Sequence, residues 1–175
     1  SQRPGIRMLA RELIDELWKN DPEMQQLAQQ YDERPVNRIL SRKINEFDNS
    51  IPHNVAQRQF DMIRQIADSG ESAIFVGRCA DYALAGRPGL LRIFCRADLG
   101  QRIRRIEQRH NLSKKKAALL VAKTDRHRRV YYHHHTGQFW GHSSCYDLTV
   151  NTGVLGVEKT AETMEAFIRT FWEQD

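Results

Sequence analysis

Ser72-Ala73-Ile74-Phe75-Val76-Gly77-Arg78-Cys79-Ala80-Asp81-Tyr82 is the stretch from which the fold class can be predicted. Four apolar residues, 73–76, follow one another without a polar break, which is typical of a short strand buried on both faces in a parallel sheet. Gly77 then lets the backbone turn, and Arg78 follows at the carboxyl end of the strand, where open α/β sheets bind ligands. An arginine there can grip a phosphate or carboxylate with two prongs, or it can be an ordinary surface charge. This stretch alone leaves both interpretations open.

The flanking segments alternate between helical and strand patterns. Helices are predicted over 11–18, from Pro22, over 37–50 and over 55–66, the last ending near Gly70. Downstream of the first strand, the pattern predicts a short helix at 81–85, strands at 90–95 and 146–151, and helices at 99–110, 114–132 and 157–172. This order predicts an α/β fold with three α/β/α layers around a parallel sheet.

Composition predicts one globular domain over residues 1–175. Apolar residues make up 40% of the chain and charged residues 28%, which excludes a disordered protein. No apolar run reaches the roughly 20 residues that span a bilayer, and the first residues lack a signal-peptide apolar region. The three cysteines are widely spaced and form no CxxC motif, so a reducing cytoplasm is favoured over a disulfide framework or a zinc ribbon.

The net charge of +5 favours an anionic partner: a nucleotide, a nucleic acid or an anionic membrane. Basic residues concentrate between Arg92 and Arg129, and four cations fall within 123–129. Such a concentration is costly unless an anion lies nearby. A helix of this kind that leads into a glycine-containing loop favours a lid closing over phosphates, because phosphoryl transfer needs several cations around the transferring group. The alternative is an exposed basic helix face.

Histidine and cysteine are less informative. Five histidines lie within 127–142, but His133, His134 and His135 are consecutive and cannot all face one ion, so a polar lid loop is favoured over a metal site. Cys79 and Cys95 are predicted to be small core residues. The phosphate-loop motif GxxxxGK[ST] is absent from the sequence, which is the main difficulty for a kinase.

Several ordered motifs carry a family resemblance: 75–82, 123–129, Tyr131-Tyr132, Thr136-Gly137, Trp140 and 146–153, with 11–14 and 31–35 upstream. Together they resemble the cytidylate kinase-like family, a divergent branch of the P-loop nucleoside monophosphate kinases. The resemblance implies a P-loop NTPase-like fold with a helical lid over about 114–142. It also implies ATP-dependent phosphoryl transfer, with Mg²⁺, to a nucleoside monophosphate such as CMP or dCMP, or to a related small molecule.

The resemblance also implies roles for individual residues. Arg78, after the turn at Gly77, would hold the phosphate of the acceptor nucleotide, and Asp147 would lie near its sugar or base. The lid residues would contact phosphates of both nucleotides, with Asp125, Arg126 and Arg129 as catalytic groups and Lys123, Arg128 and Tyr132 as binding groups.

The resemblance is weakest at the start of the chain. The family opens with a strand and a glycine-rich loop, whereas here only Pro4–Ala10 is available as a remnant of that loop and of the helix after it. The difference is explained by residues that the sequence does not include, by a shortened protein, or by true loss of the loop. Loss of the loop would leave a non-catalytic nucleotide sensor.

After the kinase and the non-catalytic sensor, the third hypothesis is a basic protein that binds nucleic acid through residues 92–129. It is ranked last because aromatic residues are not interleaved with the basic run. The expected partners are therefore nucleotide substrates, without a membrane, and homo-oligomerisation is left open.

Overall fold

A computed structural model describes residues 7–9, 19, 20, 22, 25 and 50–173 of the chain. The helices predicted over 11–18 and over most of 37–50 lie outside these residues. Contacts divide the chain into two compact units, the first comprising Ser1–Arg87 and Val130–Gly137 and the second Pro88–Arg129 and Gln138–Asp175. The single domain predicted over 1–175 stays a prediction.

The helices and strands follow the predicted alternation. In chain order they are β1 (Arg7–Leu9), α1 (Ser50–Asp68), β2 (Ala73–Phe75), α2 (Ala80–Ala83), β3 (Ile93–Arg96), α3 (Leu99–His110), α4 (Lys114–Thr136), a 3₁₀ turn (Ser143–Cys145), β4 (Leu148–Asn151) and α5 (Thr152–Trp172). None of the helices within the described residues is long and apolar enough to cross a membrane.

In the first unit, β1 is a strand at residues where the sequence predicted the helix after a loop remnant, so a helix at 7–9 is wrong. Residues 4–6 and 10 of that prediction lie outside the described residues. β1 pairs in parallel with β2, and the amide of Val76 extends the pairing by donating to the carbonyl of Leu9 at 2.8 Å. Met8 is 65% exposed and Leu9 is 2% exposed, which is the alternation expected of a strand. Three residues are too few for this alternation to be recognised in the sequence.

β2 confirms the strand of the opening stretch but not its burial on both faces. Ile74 is 49% exposed, whereas its neighbours Ala73 and Phe75 are half-buried. The apolar run misleads here because Ile74 is as apolar as its neighbours although its side chain points to the other face. α1 packs against β2 and α2 and contributes Val55, Phe60 and Ile63 to the core.

In the second unit, β3 and β4 form another parallel pair, from Ile93 opposite Leu148 to Arg96 opposite Asn151. Both strands begin two or three residues later than predicted. The parallel direction confirms the mixed α/β class, and the described strands form two pairs, β1 with β2 and β3 with β4. The three-layer P-loop NTPase-like sheet stays a prediction.

α3 and α4 follow the end of β3. α3 has the predicted bounds, although Asp98 at its N-cap makes no side-chain capping bond. Ser113 caps α4, since its hydroxyl accepts a hydrogen bond from the amide of Lys116 at 3.5 Å. Of these two helix starts, the start of α4 has a side-chain cap and the start of α3 does not.

α4 runs to Thr136, about one turn further than predicted. It ends at Gly137, whose φ of 70° is left-handed and suits a helix C-terminus. His133, His134 and His135 lie in its last turn, so their prediction as a polar loop is wrong. The mistake comes from counting imidazoles as loop residues, although basic side chains are favourable near a helix C-terminus.

α5 begins at Thr152, five residues earlier than predicted, and contains one break. Gly156 has φ 79° and ψ 173°, which is not helical. Gly153 keeps the helical conformation, whereas Gly156 interrupts the helix. Its conformation belongs to a region that is essentially restricted to glycine.

Replacing Gly156 by alanine is expected to lower the free energy of unfolding by about 1–3 kcal/mol, because a Cβ is strained at this φ and ψ. Gly100→Ala is the matched control, since Gly100 lies in α3 with no positive φ and its Cβ would meet only Nη1 of Arg104 at 3.8 Å. The control is expected to leave stability unchanged or to raise it by up to about 1 kcal/mol. Urea unfolding measures both variants, and equal losses would contradict the explanation.

Candidate functional site

A cleft of about 560 Å³ lies in the second unit, where β3 and β4 both end. The carboxyl edge of parallel strands is where α/β proteins bind ligands. The lining residues are Phe94, Cys95, Arg96, Ala97, Gln101, Arg102, Arg105, Asp125, Arg128, Trp140, Thr152, Gly153, Gly156 and Val157. β3, α3, α4 and α5 thus each contribute to one cavity.

The cleft is strongly positive. Arg96 comes from the end of β3, Arg102 and Arg105 from α3, and Arg128 from α4, whereas Asp125 is the one acidic residue in the lining. Four positive charges less one negative charge leave an excess of three. Low-dielectric walls concentrate such a field, so the cleft favours an anion with several charges.

Arg102 connects three elements at this edge. Its Nη1 donates to both carboxylate oxygens of Asp125, at 2.9 and 2.7 Å, and its Nε donates to the carbonyl of Ala97 at 3.1 Å. The side chains of Arg102 and Asp125 are 35% and 19% exposed. One guanidinium therefore joins the end of β3 to α4 while it lines the cleft.

The structure brings together only part of the predicted lid set. Asp125 and Arg128 line the cleft, one helical turn apart on α4, whereas Lys123, Arg126 and Arg129 are not among its lining residues. The latter three are exposed. Their predicted roles stay predictions.

Aromatic rings form one wall of the second unit. Phe94 lies between Trp140 and Tyr146, with ring centroids 5.3 and 4.9 Å apart, and Phe94 and Trp140 also line the cleft. Gly141, at φ 79°, lies so close that a Cβ there would be 2.9 Å from Cζ of Phe94. The three rings therefore fix the loop after α4 against β3.

Gln101 and Gly153 meet across the cleft lining. Nε2 of Gln101 donates to the carbonyl of Gly153 at 3.0 Å. A Cβ on Gly153 would overlap the Gln101 amide, lying 2.7 Å from its Cδ. The Gln101 amide therefore packs directly on Gly153, and its hydrogen bond joins the first turn of α5 to α3.

Asp147 lies at the opposite ends of the strands from the cleft. Its carboxylate accepts hydrogen bonds from Arg92, from the amide at 2.8 Å, from Nε at 3.0 Å and from Nη2 at 2.6 Å. These side-chain bonds are the main reason that the pKa of Asp147 lies below its usual range, and burial opposes them. Asp147 therefore clamps the starts of β3 and β4, and its predicted contact with a sugar or base stays a prediction.

Replacing Asp147 by asparagine is expected to cost about 1 kcal/mol of unfolding free energy at pH 7, since the partly exposed ion pair with Arg92 is lost. Because the folded pKa is lowered, this contribution is present above about pH 4 and is lost as pH falls through the folded pKa. The difference between the wild type and the variant should therefore shrink in acid. Urea unfolding at about pH 7 and about pH 3 tests this. Glu165→Gln, which removes an exposed pair with Arg169, should change stability by less than about 0.5 kcal/mol.

In the first unit, Gly77 and Arg78 form a left-handed turn with Cys79. The three φ angles are 77°, 59° and 52°, which is a strained run because two of the residues carry a Cβ. Arg78 is 7% exposed, so it is not an ordinary surface charge. Its role in binding a phosphate stays a prediction.

Tyr132 also lies in the first unit. Its hydroxyl donates to Oδ2 of Asp81 at 2.6 Å, and the residue is 5% exposed. The bond fastens the last turns of α4 to α2. The predicted contact of Tyr132 with a phosphate stays a prediction.

The cysteines divide into two kinds. Cys79 is buried, as predicted, but Cys95 is exposed, because it lies where β3 opens into the cleft. Partial burial of its thiol raises the pKa of Cys95, so the thiol is protonated at neutral pH. Within the described ranges, no group of three or more His, Cys, Asp or Glu residues comes together as metal ligands.

Sequence reasoning missed Arg102, Arg105 and Gln101. They lie in the run 101–109, whose sequence pattern does not distinguish a ligand-binding face from a solvated helix face. The available signal was their position in the first turns after β3, since side chains there reach the carboxyl edge of the strands.

The sequence model of the cytidylate kinase-like family matches residues 1–154. The chain belongs to the cytidylate kinase-like family. A crystal structure of an uncharacterized protein from Eubacterium ventriosum is similar to this family member, with a TM-score of 0.71 and 26% sequence identity over 94% of this chain and 84% of that one. No curated protein matches the chain. Membership in the cytidylate kinase-like family indicates a nucleotide kinase-like role.

Proposed function

We propose that the protein is an ATP-dependent nucleotide kinase that transfers a phosphoryl group to a nucleoside monophosphate, with CMP or dCMP as the first candidates, and that it acts in the cytoplasm. The observation that carries the proposal is the cleft in the second unit, which combines an excess of three positive charges with an aromatic wall. This pairing matches a nucleotide, since one part of the ligand is a polyanion and the other is a flat ring.

The arginines supply the phosphate-binding part. Arg105 and Arg128 come from different helices, α3 and α4, and both line the cleft. Guanidinium groups suit phosphate oxygens because they donate two parallel hydrogen bonds. In phosphoryl transfer such groups contribute by holding the phosphates and by stabilising charge on the oxygens of the transferred group.

The aromatic wall supplies the part that receives the base. Phe94 and Trp140 line the cleft, and the contacts of Phe94 with Tyr146 and Gly141 keep this wall rigid. Stacking on an aromatic side chain is worth about 1–3 kcal/mol per base and tolerates different bases. The wall thus supports nucleotide binding in general, whereas the choice of cytosine comes from the family resemblance.

We assign to Arg78 the binding of the acceptor phosphate. It follows the carboxyl end of β2, and it is an arginine that is only 7% exposed. The left-handed backbone at Gly77 and Arg78 sets the direction in which this side chain leaves the strand.

ATP and Mg²⁺ differ in how well the described residues fit them. The cleft fits a nucleotide. It does not fit a metal ion, because Asp125 is its one carboxylate in the lining and both oxygens are bonded to Arg102. When bound, Mg²⁺ neutralises phosphate charge, and it keeps waters and phosphate oxygens as ligands with few protein carboxylates.

The test is a coupled ADP-release assay on the purified chain with ATP, Mg²⁺ and a panel of CMP, dCMP, UMP and AMP. Turnover with at least one acceptor supports the proposal, and a preference for CMP or dCMP supports the assigned acceptor. Absence of turnover with all four, together with nucleotide binding by calorimetry, would contradict the kinase.

A non-catalytic nucleotide sensor is the second candidate. Residues 1–175 contain no GxxxxGK[ST] motif, whose lysine normally reaches the transferred phosphate, so binding without transfer is the alternative to test. The same panel separates the two candidates. A sensor binds ATP or a monophosphate without releasing ADP, whereas a kinase couples binding to turnover.

A further inference from the structure

We propose that Arg102 and Asp125 form a positioning pair, which fixes the rotation of α4 about its axis so that Arg128 faces the cleft. The proposal rests on the proposed function, because it assigns Arg128 to nucleotide phosphates. It changes the part given to Asp125, which acts through Arg102 and Arg128 and does not touch the reacting atoms.

The first step of the argument is the bonding of the carboxylate. Both oxygens of Asp125 accept hydrogen bonds from Nη1 of Arg102, at 2.9 and 2.7 Å, and the side chain is only 19% exposed. A catalytic base needs an oxygen directed at the substrate, and a metal ligand needs an oxygen directed at the metal ion. The bonding of Asp125 is directed instead at α3.

The second step is the anchorage of Arg102. Its Nε donates to the carbonyl of Ala97 at 3.1 Å, the residue that follows the last residue of β3. Its backbone belongs to the first turn of α3. Arg102 is thus held through two nitrogens of its guanidinium, Nε and Nη1. The position of α4 is therefore set relative to the end of β3.

The third step is the periodicity of α4. Residues three apart lie on neighbouring positions of one helix face, so the position of Asp125 determines where Arg128 lies. Arg126 and Arg129 form a second stripe, displaced by about 100° around the helix, and neither lines the cleft. Rotation of α4 by one residue would exchange the stripes and remove Arg128 from the lining.

The test is a double-mutant cycle on nucleotide affinity with Arg102→Ala, Asp125→Ala and the double variant. Each single variant is expected to raise the Kd for ATP by roughly 10-fold or more. Because the pair acts as one unit, the Kd of the double variant should equal that of the more weakly binding single variant within about twofold. If the Kd of the double variant rises by the product of the two single-variant factors, the proposal is overturned, because Arg102 and Asp125 then contact the ligand independently.

A reversed pair keeps the test valid if the alanine variants fold poorly. The variant R102E/D125K restores opposite charges in the reverse order, and it should recover affinity relative to R102E alone by about 10-fold. R104A is the matched control on α3, because Arg104 is exposed and does not line the cleft. If R102E/D125K binds no better than R102E, the pair does not position α4.

A readout without nucleotide separates this inference from the proposed function. Hydrogen exchange of the α4 amides over 120–130 should become faster in R102A and not in R104A, and binding of inorganic tripolyphosphate should fall with it. If ATP and monophosphates fail to bind while both changes occur, the proposed function is wrong and the positioning pair stands. Unchanged exchange and tripolyphosphate binding in R102A would overturn the positioning pair.

Discussion

Replacing Arg105 and Arg128 together by alanine is expected to weaken ATP binding by roughly 100- to 10,000-fold. Each loses a hydrogen bond between charged groups, worth about 1.5–3 kcal/mol, and each 1.4 kcal/mol is tenfold in Kd. The two residues come from different helices of the second unit but line the same cleft. Isothermal titration calorimetry at two salt concentrations measures the loss, which should be larger at low salt because exposed charges are screened.

The matched control for this pair is Arg104→Ala with Arg109→Ala. Both residues lie on α3, both are exposed, and neither lines the cleft, so the net charge changes equally. The control is expected to change Kd by no more than about twofold. An equal increase in Kd in the two double variants would mean that the overall charge attracts the nucleotide. The cleft would then no longer be assigned as the nucleotide-binding site.

Replacing Phe94 by alanine is expected to lower the free energy of unfolding by about 2–4 kcal/mol. Phe94 is half-buried, and it holds the rings of Trp140 and Tyr146 on either side. Removal of a large aromatic side chain leaves a cavity and also removes aromatic pairs worth about 0.5–1.5 kcal/mol. The loss should also change the fluorescence of Trp140, whose neighbour in the cleft wall disappears.

Phe139→Ala is the control for this second prediction. Phe139 is 72% exposed, so truncation should cost less than about 0.5 kcal/mol. Chemical denaturation measures both variants, and Phe94→Leu should recover part of the loss by filling the cavity. If the Phe94 and Phe139 variants were equally stable, the aromatic wall would not be a rigid part of the cleft.

Much of the second unit could be predicted because its elements have strong local signals. α3 was predicted with the bounds that it has, since its apolar residues follow helical spacing and Asp98 marks its start. The start of α5 was harder. Gly153 and Gly156 look alike in sequence, but only Gly156 leaves the helical conformation, whereas Gly153 lies in the first turn of α5 and accepts a hydrogen bond from Gln101.

The site could be predicted only where a single element suffices. A concentration of arginines on α4 is visible in the sequence, and Arg128 does line the cleft. Which stripe of α4 faces the cleft depends on a contact between Arg102 and Asp125, 23 residues apart. Periodicity describes one helix and carries no information about the neighbour that fixes its rotation, so it does not distinguish Arg102 from a solvated residue.

The role of Asp147 as a clamp between strand starts also depends on a contact that the sequence does not reveal. Its position before a predicted strand suits either a ligand contact or a clamp between strand ends, and only the bonds from Arg92 distinguish them. The predicted start of β3 is too early because the apolar residues before Ile93 lengthen the apparent strand. Contacts between distant segments decide such details, and local patterns do not record them.

The left-handed turn at Arg78 and Cys79 limits which substitutions can be neutral there. A left-handed residue with a Cβ costs about 1–2 kcal/mol relative to glycine, so the chain uses arginine at a position where glycine would relieve strain. Random mutagenesis scored only for thermal stability would therefore be drawn towards glycine at this turn. A screen that also scores ligand binding would separate the stability of the turn from the contribution of its guanidinium, and it would do so at a residue that a stability screen alone would discard.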